Sequence, residues 1–212
     1  MPRPSQNIEL ALLQSGRALY TERGAARLSV RALAEHAGVN VGMFHYHFKT
    51  KDAFLRQLLA GMYEEMFTQL SGQVSQSGPP LKRLRQALMV LGSFVRDHAP
   101  TLGRVMADAA AGEAVAVEFI RTNAPRHLAL LLALMDEAER EGRLAPMAPL
   151  QRFTFVLGAV GMPLLAACGV QALGVVPRLL GKSLQMQVMG DVAIAERIDL
   201  ALRALSITKG RS

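Results

Sequence analysis

The sequence predicts an all-α protein in which an N-terminal three-helix domain precedes a larger helical domain. Half of the 212 residues are apolar and only 19% are charged, so the chain can bury a sizeable core. Ala, Leu and Met favour helix, and aromatic residues make up only 5% of the composition. Apolar residues recur at three- and four-residue steps rather than in alternation, which favours helices over strands.

The first helix is predicted between residues 7 and 23, where apolar residues at helical spacing form one face. This face consists of Ile8, Leu12, Gly16, Leu19 and Tyr20. Gly24 follows at the position of a helix C-cap, so the helix is expected to end there.

Two short helices joined by a tight turn come next. Ser29 is placed to cap a helix over 30–37, and Asn40 is placed to cap a helix over 41–47. Gly38 supplies a left-handed turn conformation without steric cost. This arrangement predicts a helix-turn-helix.

Thr50 caps a fourth, longer helix, whose apolar spacing continues to residue 70. A stretch rich in Gly, Ser and Pro breaks the pattern at 71–80. Pro125 is expected to kink or restart the helix in which it lies. The segment 173–189 is ambiguous. Further helices are predicted at 81–98, 100–111, 113–142, 148–170 and 190–206.

Positive charge is concentrated at the N-terminal end of the chain. The formal net charge is +7, of which residues 1–56 hold +4 from eight cations and four anions. Such a distribution fits a nucleic acid or an anionic membrane as partner. The single cysteine suits a reducing cytoplasm, and the N-terminus lacks the apolar segment of a signal peptide.

The third helix offers an outward surface without acidic side chains. Apolar groups on it can contact thymine methyls in the major groove of double-stranded DNA, and its imidazole and phenol groups can reach phosphates. Arg31 and Lys51 flank this helix and can neutralise phosphates. The cap residues Ser29 and Asn40 complete the candidate DNA-binding set. Its members on the third helix are Val41, Gly42, Met43, His45, Tyr46 and His47.

The segment from Leu12 to Leu59, nearly a quarter of the chain, contains the motifs LLQSGRALYTERG, SVRALAEHAGV and NVGMFHYHFKTKDAFLRQLL. In these motifs it resembles the DNA-binding domain of the tetracycline-repressor (TetR) family. The resemblance implies a DNA reader over 1–50 and, over 51–212, a domain that binds a small molecule and dimerises through its last helices. It further implies a cytoplasmic repressor that binds an inverted-repeat operator as a homodimer and leaves it when a ligand binds.

The resemblance also implies DNA-contacting roles for individual residues. The aligned positions are Arg31, Val41, Met43, His45, His47 and Lys51. Three residues depart from the common pattern: Asn40 replaces Ser, Met43 replaces Thr, and His45 replaces Tyr. The resemblance therefore leaves the operator sequence open, as it does the target genes and the choice between repression and activation.

Six residues of the middle helices are candidates to line a ligand cavity. The low charge of these helices favours a mostly apolar ligand, whose identity the sequence does not give. Asp108, Glu118 and Arg121 are candidates to anchor a polar group of it. The six cavity candidates are Phe94, Met106, Phe119, His127, Met135 and Phe153.

Two apolar stripes are candidates for a dimer interface. The first, in the helix over 148–170, consists of Phe155, Gly158, Ala159, Met162 and Ala166. The second, near the C-terminus, consists of Ile194, Ile198, Ala201, Leu202 and Leu205. Two copies would bury both stripes in a four-helix interface. Packing of the stripes within one chain is the alternative.

A membrane-tethered regulator is an alternative interpretation, because 153–177 has no charged residue and is long enough to span a bilayer. Its glycines, Pro163 and the central Gln171 favour instead a buried interface helix and a loop. The expectation is therefore a protein without a membrane partner.

A helical enzyme is the second alternative. We find no nucleophile elbow, phosphate loop or carboxylate pair, so no catalytic site is predicted. His45 and His47 are two residues apart and do not share a helix face, so neither metal nor other cofactor is expected. Whether Cys168 senses oxidants is left open.

Overall fold

Helices account for most of the chain in the computed structural model, which describes residues 4–172 and 174–207. Extended pairing in these residues is limited to an isolated bridge between Leu144 and Ser206, so the predicted all-α class is confirmed. The helices are α1 (Pro4–Arg27), α2 (Val30–His36), α3 (Val41–Phe48), α4 (Lys51–Val74), α5 (Pro80–Ala110), α6 (Ala114–Arg140), α7 (Pro149–Val156), α8 (Met162–Ala172), α9 (Arg178–Leu184) and α10 (Asp191–Leu205). Two π-helical turns, Leu157–Gly161 and Gln185–Met189, directly follow α7 and α9.

The three predicted N-caps are confirmed. The side-chain oxygens of Ser29, Asn40 and Thr50 each accept a hydrogen bond from the backbone N–H three residues further along, at 3.1, 2.9 and 3.1 Å. Each bond satisfies one of the N–H groups that the first turn of a helix leaves unpaired. The starts of α2, α3 and α4 are therefore fixed by local sequence.

Gly24 interrupts α1 where the sequence predicts its end. The backbone there has φ 72° and ψ 175°, a conformation that only glycine adopts readily, and one further turn follows as far as Arg27. The helix thus extends beyond the predicted 7–23 at both ends, with its break at the predicted residue.

The helix boundary expected before Pro100 is wrong, and the helix that contains Pro125 does not restart there. The separate helices predicted at 81–98 and 100–111 form the single helix α5 with Pro100 inside it, and α6 continues through Pro125. A proline inside a helix removes one hydrogen bond and crowds the preceding turn. Both prolines are exposed, so water can solvate the carbonyl that lacks its donor. The ambiguous segment 173–189 contains α9 and a π-helical turn.

The contacts divide the chain into two compact units. The first contains the described part of Met1–Glu64 together with Pro100–Asn123, and the second contains Glu65–Ala99 and the described part of Ala124–Ser212. The C-terminal end of α5 therefore groups with the N-terminal helices. The division at residue 50 stays a prediction about function.

An aromatic cluster forms the core of the first unit. The ring of Phe44 lies 5.5 Å from that of Phe48 and 5.4 Å from that of Phe54, which joins α3 to α4. Phe54 also packs on Gly16 of α1, where an added Cβ would lie 2.3 Å from the Phe54 Cζ atom. Gly16 is therefore required for α1 and α4 to approach this closely.

A buried guanidinium organises part of the second unit. Arg152 at the start of α7 is only 1% exposed and pairs with Glu139 of α6. It also donates hydrogen bonds to the backbone carbonyls of Met135, Ala145 and Met147. The Arg152 side chain thus links α7 to α6 and to the segment that connects them.

Candidate functional site

The turn between α2 and α3 has the geometry that the sequence predicts. Gly38 has φ +67°, and the N–H of Val39 donates to the Ala34 carbonyl at 2.9 Å. Ala34 is buried, which allows the two short helices to approach. On the inner side of α3, Phe44 and Phe48 enter the aromatic core, so the rotation of this helix about its axis is fixed.

The outer side of α3 is exposed. Val41, Gly42, His45 and Tyr46 lie at the surface, with Tyr46 73% exposed, and Met43 is half-buried. The helix contains no acidic residue. Its surface can therefore approach the polyanionic backbone of DNA while it presents apolar, imidazole and phenol groups to base edges.

His47 is not part of this exposed surface. Its side chain is only 6% exposed, and its Nδ1 atom lies 3.8 Å from the Glu9 carboxylate of α1. Glu9 is also held by Gln57 of α4 at 2.7 Å. The expectation that His47 is exposed is therefore wrong, because its position depends on α1 and α4 rather than on helical spacing.

The tautomer of the His45 ring follows from its hydrogen bond. Nδ1 lies 3.1 Å from the backbone oxygen of Lys49. Because a carbonyl oxygen only accepts, Nδ1 must carry the proton. The Nε2 atom of a neutral ring is then an acceptor, which suits the amino group of adenine or cytosine better than a phosphate.

The two flanking cations differ in their surroundings. Arg31 on α2 is exposed. The Lys51 ammonium instead donates to the backbone oxygen of Ala25 at 2.9 Å and so satisfies a carbonyl at the end of α1. That bond uses one of the three N–H groups of the ammonium, so a phosphate contact by Lys51 has to be made from the position that the Ala25 carbonyl sets.

The second unit contains an apolar cavity of about 110 Å³. It lies between α5, α6 and the segment that runs from α7 through the first π-helical turn. His127 is the one lining residue with a polar side chain among those that the structure describes. The others are Leu88, Leu91, Gly92, Val95, Leu131, Phe153, Val156, Leu157, Val160 and Gly161.

The structure brings two of the six predicted ligand residues, His127 and Phe153, to this cavity. Met135 is packed in the core of the same unit, and Phe94 stacks on His98 with ring centroids 4.7 Å apart. Met106 and Phe119 belong to the first unit. These four residues do not line the described cavity wall. The sequence could not exclude them, because the size and spacing of side chains do not show which face of a long helix borders a cavity.

The three candidate polar anchors also belong to the first unit. Asp108 is buried and accepts a hydrogen bond from the Ala25 N–H, and Glu118 pairs with Arg56 at 2.9 Å. Arg121 is exposed. None of the three lines the cavity described in the second unit.

The first predicted interface stripe is largely open to solvent in the single chain. Phe155, Gly158, Met162 and Ala166 are exposed, and Ala159 is half-buried. No described atom lies within 4 Å of a Cβ added at Gly158. This stripe is therefore free to meet another surface.

The second predicted stripe packs inside the single chain instead. All five of its residues are buried, so its expected role at a dimer interface is wrong. The stripe faces α5, where an added Cβ on Gly92 would lie 2.8 Å from the Ile194 Cγ2 atom. These residues are Ile194, Ile198, Ala201, Leu202 and Leu205.

Cys168 of α8 is half-buried, and burial raises the pKa of its thiol. A raised pKa leaves less of the reactive thiolate at neutral pH. In the part of the chain that the structure describes, no three His, Cys, Asp or Glu side chains are grouped so that they could hold a metal ion.

The helical run Pro149–Gln171 is long and apolar enough to cross a membrane, with a mean hydropathy of 2.0. Only 28% of its most apolar window is buried inside the chain. The core helix of a soluble protein passes the same test of length and composition. The finding is therefore consistent both with such a helix and with the membrane-tethered alternative.

The capped α2–α3 pair, with a second helical unit attached, defines a helix-turn-helix protein. Residues 12–58 match the model of the bacterial regulatory proteins of the tetR family. The similarity to this family therefore covers less than a quarter of the chain.

Individual relatives match either part of the sequence or the whole fold. The HTH-type transcriptional repressor KstR2 of Mycobacterium tuberculosis is 30% identical over 87 residues, which cover 41% of this chain and 44% of that protein. This chain therefore spans less than half of that relative's length. These relatives are transcription regulators rather than enzymes.

Solved structures match nearly the whole chain in fold. The ketosteroid transcriptional regulator KstR2 of Mycobacterium tuberculosis has a TM-score of 0.62 at 17% identity, over 94% of this chain and 95% of that one. The TetR family transcriptional regulator PfmR from Thermus thermophilus has a TM-score of 0.67 at 18% identity, over 91% and 97%. At such identities the likeness shows the fold alone.

Proposed function

We propose that this chain is a dimeric transcription repressor that binds an inverted-repeat DNA operator through α3. The observation that carries the proposal is the outer side of α3, which is exposed and free of acid while its inner side is fixed by Phe44 and Phe48. A helix held in this way fits the major groove. A twofold dimer places two such helices in successive grooves, so the operator consists of two inverted half-sites.

The contacting residues divide into two roles. Val41 and Met43 are apolar and meet thymine methyl groups, and the Nε2 atom of His45 forms a hydrogen bond with a base edge. Arg31 and the Tyr46 hydroxyl bind phosphates, which set the position of the protein on the duplex. The base sequence that is read therefore depends on Val41, Met43 and His45.

A selection from random double-stranded DNA tests this proposal. The wild-type protein is expected to return an inverted repeat, and Met43→Ala is expected to keep the half-site spacing but change the preferred bases. Met106→Ala removes an exposed methionine of the same unit outside α3 and is the matched control, which should return the wild-type site. Absence of any enriched sequence with the wild-type protein would overturn the proposal.

The effector that we propose is a small, mostly apolar molecule with one hydrogen-bonding group. The cavity wall is apolar except for His127. Burial of a charged group against such a wall is unfavourable, so strongly ionic ligands are disfavoured. An apolar cavity of roughly 150 Å³ holds a benzene molecule. The volume of about 110 Å³ therefore requires the walls to move when a larger ligand enters. Such movement gives the ligand different affinities for two conformations, which is what release from DNA requires.

Thermal unfolding with a panel of short-chain alcohols, ketones and carboxylic acids tests the effector class. Apolar members are expected to raise Tm and to release DNA. Leu91→Phe fills part of the cavity and should abolish both responses while DNA binding by the free protein persists. Stabilisation by carboxylic acids alone would contradict a mostly apolar ligand.

The dimer that we propose forms through the exposed stripe of α7 and α8. A monomer would leave this apolar surface in water, which is unfavourable. Gly158 and Ala166 let the backbone of a second helix approach closely, and Phe155 and Met162 supply apolar area. The occupant of this surface is therefore a second copy of the chain.

Sedimentation of protein purified without detergent distinguishes the dimer from the membrane-tethered alternative. Wild-type protein is expected to sediment as a dimer, and Met162→Glu as a monomer with reduced operator affinity. Leu200→Glu places the same charge at an exposed position of α10 and should remain dimeric. Wild-type protein that stays dispersed only in detergent would favour the tethered form.

A further inference from the structure

Lys49 lies in a strained backbone conformation at the junction between α3 and α4. Its φ is +59° and its ψ is −53°, and it is the one described residue other than glycine with a positive φ. The N–H of Thr50 donates to the Phe48 carbonyl at 2.6 Å, so Lys49 is the central residue of a γ-turn. The form of this turn with positive φ is rare and strained.

The turn is held in place from the side of α3. The N–H of Lys49 donates to the His45 carbonyl at 3.2 Å, and the Lys49 carbonyl accepts from the His45 ring at 3.1 Å. Thr50 then caps α4. The backbone on both sides of Lys49 is thus fixed, and the strain at this residue persists because its neighbours determine it.

Glycine would adopt this conformation at lower cost, since it has no Cβ. A lysine at this position therefore lowers the stability of the fold. Contacts of its side chain within the protein do not offset this loss. That side chain is exposed, and the ion pairs among the described residues do not include it. Strain at a residue that makes no compensating contact indicates a role outside the folded chain.

The nearby Lys51 differs in this respect. Its ammonium already donates to the Ala25 carbonyl, so in this conformation it acts as a cap for the end of α1. Of Lys49 and Lys51, only Lys49 offers an ammonium without a protein acceptor among the described atoms. It also directly follows the last residue of α3.

From these observations we propose that Lys49 binds a DNA phosphate next to the groove that α3 enters, and that its strained turn is retained for this contact. The inference rests on the proposed DNA binding and names a residue that neither helical spacing nor the family resemblance assigns. It predicts that Lys49→Gly weakens DNA binding without lowering the stability of the fold.

Three variants at position 49 separate binding from folding. Lys49→Gln removes the charge, Lys49→Arg keeps it, and Lys49→Gly removes both charge and strain. Lys182→Gln removes an exposed lysine of α9 in the second unit and controls for net charge. Binding to random-sequence double-stranded DNA is measured by fluorescence anisotropy between about 50 and 200 mM salt, where phosphate contacts dominate affinity.

Lys49→Gln is expected to reduce the steepness of log affinity against log salt by about 0.9 per bound subunit. Lys49→Arg and Lys182→Gln should keep the wild-type slope. Lys49→Gly should lose the same slope as Lys49→Gln and yet unfold at a temperature equal to the wild type or up to about 4 °C higher. The combination of weaker binding with undiminished stability supports the proposal.

Two results would overturn it in different ways. A wild-type slope for Lys49→Gln, with DNA binding by the wild type intact, would show that the turn is only structural. Failure of the wild-type protein to bind DNA at low salt would instead remove the proposed function itself, and this assignment with it.

Discussion

The carboxylate of Asp108 in α5 accepts a hydrogen bond from the backbone N–H of Ala25 in α1, with 2.8 Å between the two atoms. The carbonyl of the same Ala25 accepts from Lys51 of α4. Ala25 directly follows the helix break at Gly24, so both polar groups of a disrupted backbone segment are satisfied by side chains from other helices. Arg104, one turn before Asp108, adds donors to the carbonyls of Thr21 and Glu22.

Replacing Asp108 by Ala is therefore expected to destabilise the first unit. It leaves the Ala25 N–H buried without an acceptor, at a cost of about 1–3 kcal/mol. Chemical denaturation monitored by circular dichroism measures the loss, and hydrogen exchange at the Ala25 amide should become faster. Asp136→Ala removes an exposed carboxylate paired with Arg140 and is expected to cost less than about 0.5 kcal/mol. Equal losses for the two variants would contradict this role of Asp108.

The glycines at 24 and 38 offer a matched pair for backbone effects. A Cβ at Gly24 would lie 2.7 Å from Asp108 Oδ1 and 2.9 Å from Arg104 Cδ, in a conformation that only glycine adopts readily. Gly38 also has a positive φ, but apart from its chain neighbours no atom in the part of the chain that the structure describes lies within 4 Å of an added Cβ. We expect Gly38→Ala to cost about 1 kcal/mol and Gly24→Ala about 3 kcal/mol of unfolding free energy. Similar values for both would show that the crowding at Gly24 relaxes easily.

Arg152 is expected to be the most sensitive arginine of the second unit. Its replacement by Met leaves the half-buried Glu139 without its cation and removes the side-chain donor of three backbone carbonyls, at a cost of about 3–5 kcal/mol. Arg140→Met breaks only an exposed pair along α6 and should cost about 0.5 kcal/mol or less. Thermal unfolding of both variants checks the difference, and a Tm for Arg152→Met close to that of the control would contradict it.

Local signals in the sequence were sufficient for the elements that carry the proposed function. Cap chemistry at Asn40 and backbone freedom at Gly38 act within a few residues, so the bounds of α2 and α3 could be predicted. His47 could not be placed correctly, because its burial depends on Glu9 in α1. The C-terminal stripe around Ile198 shows the same limit. An apolar face predicts that its side chains are buried, but it does not identify the surface that buries them. Of the cavity wall, only His127 and Phe153 could be predicted, because the cavity arises from the packing of α5, α6 and α7.

Cys168 is expected to react slowly with electrophiles. Burial raises the pKa of its thiol, so the thiolate fraction at neutral pH is smaller than in free cysteine. Alkylation by iodoacetamide should therefore be slower than that of free cysteine near pH 8, and its rate should rise at higher pH values. The denatured protein provides the control and should react at the ordinary rate. Faster alkylation in the folded state would support a sensing role instead.

The π-helical turn Leu157–Gly161 makes the helical run from α7 to α8 tolerant of a change in length. Each hydrogen bond in such a turn encloses one residue more than in an α-helix, so the turn takes up one extra residue while the side chains after it keep their faces. Deleting Ala159 is therefore expected to restore an ordinary helix in which Leu164 stays buried and Met162 stays exposed. Homologous chains that lack one residue here should present the same row of exposed side chains on α8.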